Sequence, residues 1–145
     1  MITARLSIVT VGARDVERLR AFYGRLGWKA VITADDGFTA YDTGGAIFTL
    51  WPLDSLAADA GLDADPPSTF RGMTLAVNVA GPDEVDASIG TARDAGAVIL
   101  KDPRDESWGG RSAYFADPEG NVWEVAWMPG SSFDDRGGLI LPPPS

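Results

Sequence analysis

The sequence predicts an α+β fold of two successive βαβββ modules in a single domain over residues 1–145. Three observations predict it. Each half of the chain opens on a β-branched run and passes into an amphipathic helical stretch. Each helical stretch is closed by a glycine, Gly27 or Gly96. Each then breaks into three strand-like runs separated by turn-forming residues. A repeat of that order gives two packed modules and not a doubly wound sheet.

Module one spans 4–52. Leu6–Val11 is its first strand. Asp15 has the side chain of a helix N-cap, with Glu17 in the first turn where the helix dipole favours an anion. Val16, Leu19, Tyr23 and Leu26 recur at spacings of three and four and form the buried stripe. Strands follow at Trp28–Ala34, Phe38–Asp42 and Ala46–Trp51, with Asp35-Asp36-Gly37 and Thr43-Gly44-Gly45 as tight turns. Residues 53–72 are a linker, with a short helix at Asp54–Ala60 and an acidic loop through Pro66-Pro67. Module two spans 73–128. Met73–Val79 is its first strand, and Pro82 suits the first helical position. Val85, Ile89 and Ala92 mark the buried helix face. Strands follow at Ala97–Lys101, Arg111–Ala116 and Val122–Trp127, the last two joined by the turn Asp117–Gly120. The tail, 129–145, carries Gly137-Gly138 and Pro142-Pro143-Pro144 and reads as irregular.

Composition removes whole classes of chemistry. The chain has 12 basic and 21 acidic residues, a net charge of -9, which repels a phosphate backbone and argues against nucleic acid as a partner. No apolar run is long enough for a membrane span, and Met1–Arg5 do not open a signal peptide, so the expectation is a cytoplasmic protein without membrane contact. There is no cysteine, which excludes disulfides, thiolate metal sites and cysteine nucleophiles. There is no histidine either. Ser-His-Asp triads, imidazole zinc sites and two-histidine facial triads are therefore impossible.

Asp15 to Phe22-Tyr23, followed by Leu26-Gly27-Trp28, is similar to the first module of the vicinal-oxygen-chelate superfamily, the glyoxalase/bleomycin-resistance/dioxygenase group. Trp108-Gly109-Gly110 with Tyr114-Phe115-Ala116-Asp117-Pro118-Glu119-Gly120-Asn121-Val122-Trp123-Glu124-Val125 resembles its C-terminal signature. The resemblance covers about 5–128 and implies two modules arranged as a half-open barrel. Metal-using members of that group place His or Glu at four strand positions. Those positions correspond here to Ile8, to Phe48 or Thr49, to Thr74, and to Glu124. Only Glu124 is a ligand residue type, so the resemblance points to the members that bind a small molecule without metal, and no cofactor is expected.

Alternation along Val122–Trp127 puts Val122, Glu124 and Ala126 on one face and Trp123, Val125 and Trp127 on the other. If the tryptophan face packs on helices, Glu124 points to the opposite side. There it would pair with a ligand amine, take up a proton as the catalytic residue of an enzyme, or simply be hydrogen-bonded or wet. Phe38, Tyr41, Phe48, Trp51 and Tyr114 are candidate ligand-lining aromatics, although core packing uses the same residue types. Trp108 stands in a polar, glycine-flanked loop and is the candidate rim residue. Thr74 and Ser112 are candidate hydrogen-bond donors to a ligand. Arg71 and Arg111 would hold a carboxylate or sit in water.

Three functions fit these residues. The first is a binding protein that sequesters a small aromatic or cationic molecule such as an antibiotic, working as a homodimer. The second is a lyase, isomerase or dioxygenase relative using Glu124 or an atypical metal site. The third is a partner-binding domain without a small ligand.

Overall fold

The computed structural model describes residues 4, 6–60, 62–64, 70, 71 and 73–143. Pro66, Pro67 and Pro144 lie outside the described residues. The chain gathers into two compact units, residues 1–66 with 135–138, and 67–134 with 139–145.

In the first unit the order is β1 (Ile8–Ala13), α1 (Val16–Arg25), β2 (Ile32–Thr33), β3 (Thr39–Asp42), β4 (Ile47–Pro52) and α2 (Leu53–Asp59). The sheet runs β1-β4-β3-β2, with β1 parallel to β4 and the other pairs antiparallel. Asp15 caps α1, its carboxylate accepting from the Arg18 amide at 3.0 Å, and Gly27 follows the helix with φ at 95°. Leu19, Phe22 and Tyr23 are buried on the sheet side of α1. Tyr23 stacks on Trp28 at 5.3 Å and meets Phe48 edge-on at 5.1 Å. That stack corrects one strand boundary. Trp28 turns back to donate its amide to Tyr23, so the strand expected over Trp28–Ala34 is reduced to Ile32–Thr33.

In the second unit the order is β5 (Leu75–Asn78), α3 (Pro82–Ala95), β6 (Val98–Asp105), β7 (Arg111–Ala116) and β8 (Val122–Trp127). The sheet order is β5-β8-β7-β6, again with the first and last strands of the module parallel. Pro82 opens α3 and left-handed Gly96 closes it, and the helix buries Val85, Ile89 and Ala92. Phe115 and Trp123 stack at 6.4 Å on the helix side of the sheet. Arg111 reaches from β7 to α3, where Asp86 accepts from its guanidinium at 2.7 and 2.8 Å; Asp105 accepts a third bond at 3.0 Å. The solvated or ligand-holding Arg111 is therefore a strut between helix and sheet. The turn after β7 is organised by buried Asp117, which accepts from the amides of Glu119 and Asn121 and from the Asn121 side chain at 2.7–2.9 Å.

Two further boundaries differ from expectation. β6 continues past Lys101 to Asp105, because two register shifts let it follow β7 beyond the point where simple alternation ends. The tail is not wholly irregular: β9 (Ser132–Phe133) and β10 (Leu139–Ile140) form a short antiparallel pair. Among the described residues, no helix is long and apolar enough to cross a membrane.

Candidate functional site

Each sheet has one face against its long helix and one face turned the other way. In the second sheet, the Phe115–Trp123 stack identifies the helix side. Glu124 and Tyr114 therefore share the opposite face, where they are directly paired across β7 and β8. Register extends that row to Ala76 on β5 and Lys101 on β6. The neighbouring row runs Asn78, Ala126, Ser112 and Arg104.

These two rows carry a chain of polar contacts. The Glu106 carboxylate, on the loop after β6, accepts from Lys101 Nζ at 2.5 Å, from Ser112 Oγ at 2.7 Å and from Arg104 Nε at 3.3 Å. Lys101, then Ser112, hold its carboxyl down at about 2, well below the usual 4.5; burial opposes this and Arg104 adds to it. The Lys101 ammonium also lies 5.6 Å from the Tyr114 ring centre. Burial, then the charge of Glu124 and its approach to the phenol hydroxyl, raise the Tyr114 pKa above 10.0, with Glu106 adding to the effect. Tyr114 is thus a neutral hydroxyl at physiological pH.

The corresponding face of the first sheet is different. Tyr23 contacts Tyr41 and Phe48 from α1, so both of those rings belong to the helix side. They are packed core, 2% and 4% exposed, and not the ligand-lining aromatics that the sequence allowed. The face away from α1 carries Ile8, Thr10, Ile47, Thr49 and Trp51. Thr49, fully buried, donates to Thr10 Oγ1 at 2.8 Å, and Trp51 Nε1 donates to Asp36 at 3.2 Å. Phe38 is half-buried beside the Asp36 turn, which caps its amide at 3.0 Å.

Of the remaining sequence candidates, Thr74 and Arg71 are exposed ahead of β5. Ser112 is buried and committed to Glu106. Trp108 is 48% exposed, with its ring laid over Gly110, where any Cβ would collide with it. The structure brings together Glu124, Tyr114 and Ser112. It adds Lys101, Glu106, Arg104 and Asn78, which sequence reasoning did not single out.

The model of the Glyoxalase/Bleomycin resistance protein/Dioxygenase superfamily matches residues 5–125. The chain belongs to this superfamily. A glyoxalase-related enzyme from Fulvimarina pelagi is similar in structure, with 27% identity, coverage of 97% of this chain and 99% of that one, and a TM-score of 0.86. A glyoxalase/bleomycin resistance protein/dioxygenase family enzyme from Burkholderia phytofirmans PsJN has 25% identity over 86% and 98% of the two chains, with a TM-score of 0.76. A lactoylglutathione lyase from Agrobacterium tumefaciens shares the fold at 15% identity over 88% and 96%, with a TM-score of 0.65. No curated protein matches the chain.

Metal-using members of the glyoxalase superfamily set the test for a metal here. Register decides between Phe48 and Thr49: Thr49 is opposite Thr10 on the face away from the helix, as Glu124 is opposite Ala76. The four matched positions are then Ile8, Thr49, Thr74 and Glu124. That is one alkyl group, two hydroxyls and one carboxylate, and the Thr49 hydroxyl is already spent within its sheet. Among the described residues no group of three or more His, Cys, Asp and Glu is arranged to hold a metal. This donor set does not fit the divalent ion of the metal-using members.

Proposed function

We propose that the chain is a metal-independent small-molecule-binding protein of the glyoxalase/bleomycin-resistance type. Its ligand is an aromatic or cationic compound, an antibiotic being one such class, held against the face of the second sheet away from α3. The observation that carries this reading is Glu124. It is half-buried, beside a neutral phenol and an alanine, while the nearby cations Lys101 and Arg104 are both engaged by Glu106. A half-buried carboxylate in that position is a ready acceptor for a ligand donor.

The test is a screen of aromatic amines and cationic antibiotics by thermal shift and tryptophan fluorescence, with and without chelator. A ligand at 100 times its dissociation constant should add about 2.7 kcal/mol of stability. Chelator should change nothing. Binding that disappears on chelation and returns with a divalent metal would overturn the reading.

The placement of Glu124 beside Tyr114 favours a second reading, in which Glu124 is the base of a metal-free isomerase or lyase. Glu124→Gln separates the two. It weakens binding of a cationic ligand in the first case and abolishes turnover with binding largely kept in the second.

A further inference from the structure

We infer that the face of the second sheet away from α3 selects a cation bearing N–H bonds, a primary ammonium or an amidinium, over a quaternary ammonium. This rests on the small-molecule-binding reading above and names the ligand chemistry of that site.

Two ways of holding an organic cation compete in proteins. Quaternary ammonium groups have no N–H and are held by exposed aromatic faces. Primary ammonium and amidinium groups are held by directed hydrogen bonds to carboxylates and amide oxygens, and an amidinium can bridge two acceptors at once. On this face the aromatic route is compromised. Tyr114 is the aromatic residue of the two central rows, and the Lys101 ammonium already lies 5.6 Å from its ring centre. A second cation over that ring would meet the Lys101 charge.

The hydrogen-bonding route is open. Glu124 has Tyr114 on its β7 side and only Ala76 on its β5 side. The alanine is exposed and puts no polar group of its own beside the carboxylate. One pleat further along β5, on the same face, is Asn78, half-buried and without a side-chain partner among the described residues. Its amide oxygen offers a second acceptor on the same face, on an edge strand of the sheet. Lys101 and Arg104 both engage Glu106, which leaves Glu124 as the carboxylate of these rows without a cation of its own. The net charge of -9 draws cations of either kind toward the protein, so discrimination between them falls to Glu124 and Asn78.

The experiment uses the full chain and three probes of similar size: benzamidine, benzyltrimethylammonium and benzyl alcohol. Amide chemical shifts on β5, β7 and β8 report the site, and titration gives each dissociation constant. Benzamidine should bind at least about tenfold more tightly than the other two, the scale of a charge-assisted hydrogen bond. Glu124→Gln should weaken benzamidine by about 10–100-fold and leave benzyl alcohol nearly unchanged. Asn78→Ala should weaken benzamidine by about 3–10-fold, and a thermal melt of each variant reports its folding. Benzyltrimethylammonium binding as tightly as benzamidine would overturn the inference, as would unchanged selectivity in folded Glu124→Gln. If benzyl alcohol matches both cations at this face, the binding reading stands and the inference falls. If none of the three perturbs β5, β7 or β8 at millimolar concentration, both fall.

Discussion

Thr49 and Glu124 occupy the same place in the two sheets. Each lies on the strand that pairs in parallel with the first strand of its module, opposite Thr10 in one case and Ala76 in the other, on the face away from the helix. The helix sides are built alike, with aromatic and aliphatic residues packed against α1 or α3. The opposite faces are not. In the first sheet Thr49 bonds to Thr10 and Trp51 to Asp36, while α2 rests on Gly12, so the polar groups of this face are satisfied locally. In the second, Lys101, Arg104 and Ser112 converge on Glu106, and Glu124 neighbours Tyr114 without a cation of its own. A duplicated module needs the same packing on its helix side to fold. Its other face is free to diverge, and here the second sheet carries the larger cluster of linked polar side chains.

The largest effect that would break this comparison lies on the helix side. Phe48→Ala removes a ring that meets Tyr23, Trp28 and Tyr41, all within 6.0 Å. It should cost about 3–5 kcal/mol of stability in urea unfolding, with ligand affinity in the surviving folded fraction unchanged. A stable variant that loses ligand would return Phe48 to the binding site. Next in size is Gly12→Ala. An added Cβ would come within 2.6 Å of Leu53 Cδ1 and 3.3 Å of the Leu53 backbone, so α2 must move away from β1. About 1–3 kcal/mol should be lost, measured the same way, and an unchanged midpoint would mean that α2 does not rest there.

Much of this division was legible in the sequence. The βαβββ order was readable because Asp15, Gly27, Pro82 and Gly96 punctuate the helices with residues whose backbone preferences are specific. Glu124 was placed opposite the Trp123 face by simple alternation, and the helix-side stack of Trp123 on Phe115 agrees with that. The side to which Phe48 points was not readable, since both faces of Ile47–Trp51 carry large apolar residues and period two cannot say which meets the helix. Lys101 and Arg104 were hidden for another reason. They are three residues apart, which alternation assigns to opposite faces, yet two register shifts in β6 align them with Tyr114 and Ser112 on the same one. Glu106 was hidden with them, because its partners are set by that irregular strand.

A smaller effect sharpens the contrast from the first sheet. Thr49→Val keeps the shape and removes the hydroxyl that donates to Thr10 at 2.8 Å. Both groups lie in a sheet where nothing else depends on them, so the loss should be about 1 kcal/mol and ligand affinity should not change. A large fall in affinity would show that the first sheet contributes more than scaffold.

The last effect is the most informative in shape, because it changes with pH. The Glu106 carboxyl is held at about 2 in the folded chain against an ordinary 4.5, chiefly by Lys101 and then by Ser112. A depressed carboxyl stabilises the fold above its unfolded value, and that contribution is lost as pH falls from about 4.5 through about 2. Glu106→Gln removes the titration. The gap in urea midpoint between the parent chain and the variant should therefore be constant from pH 7 to about pH 5 and narrow below that. The shared partners add a second readout. Without the carboxylate, Lys101 is released from its 2.5 Å pair beside Tyr114, so cationic probes should bind the variant more weakly at neutral pH. Parallel stability curves down to about pH 2, with unchanged cation binding, would mean that Glu106 does not organise this face.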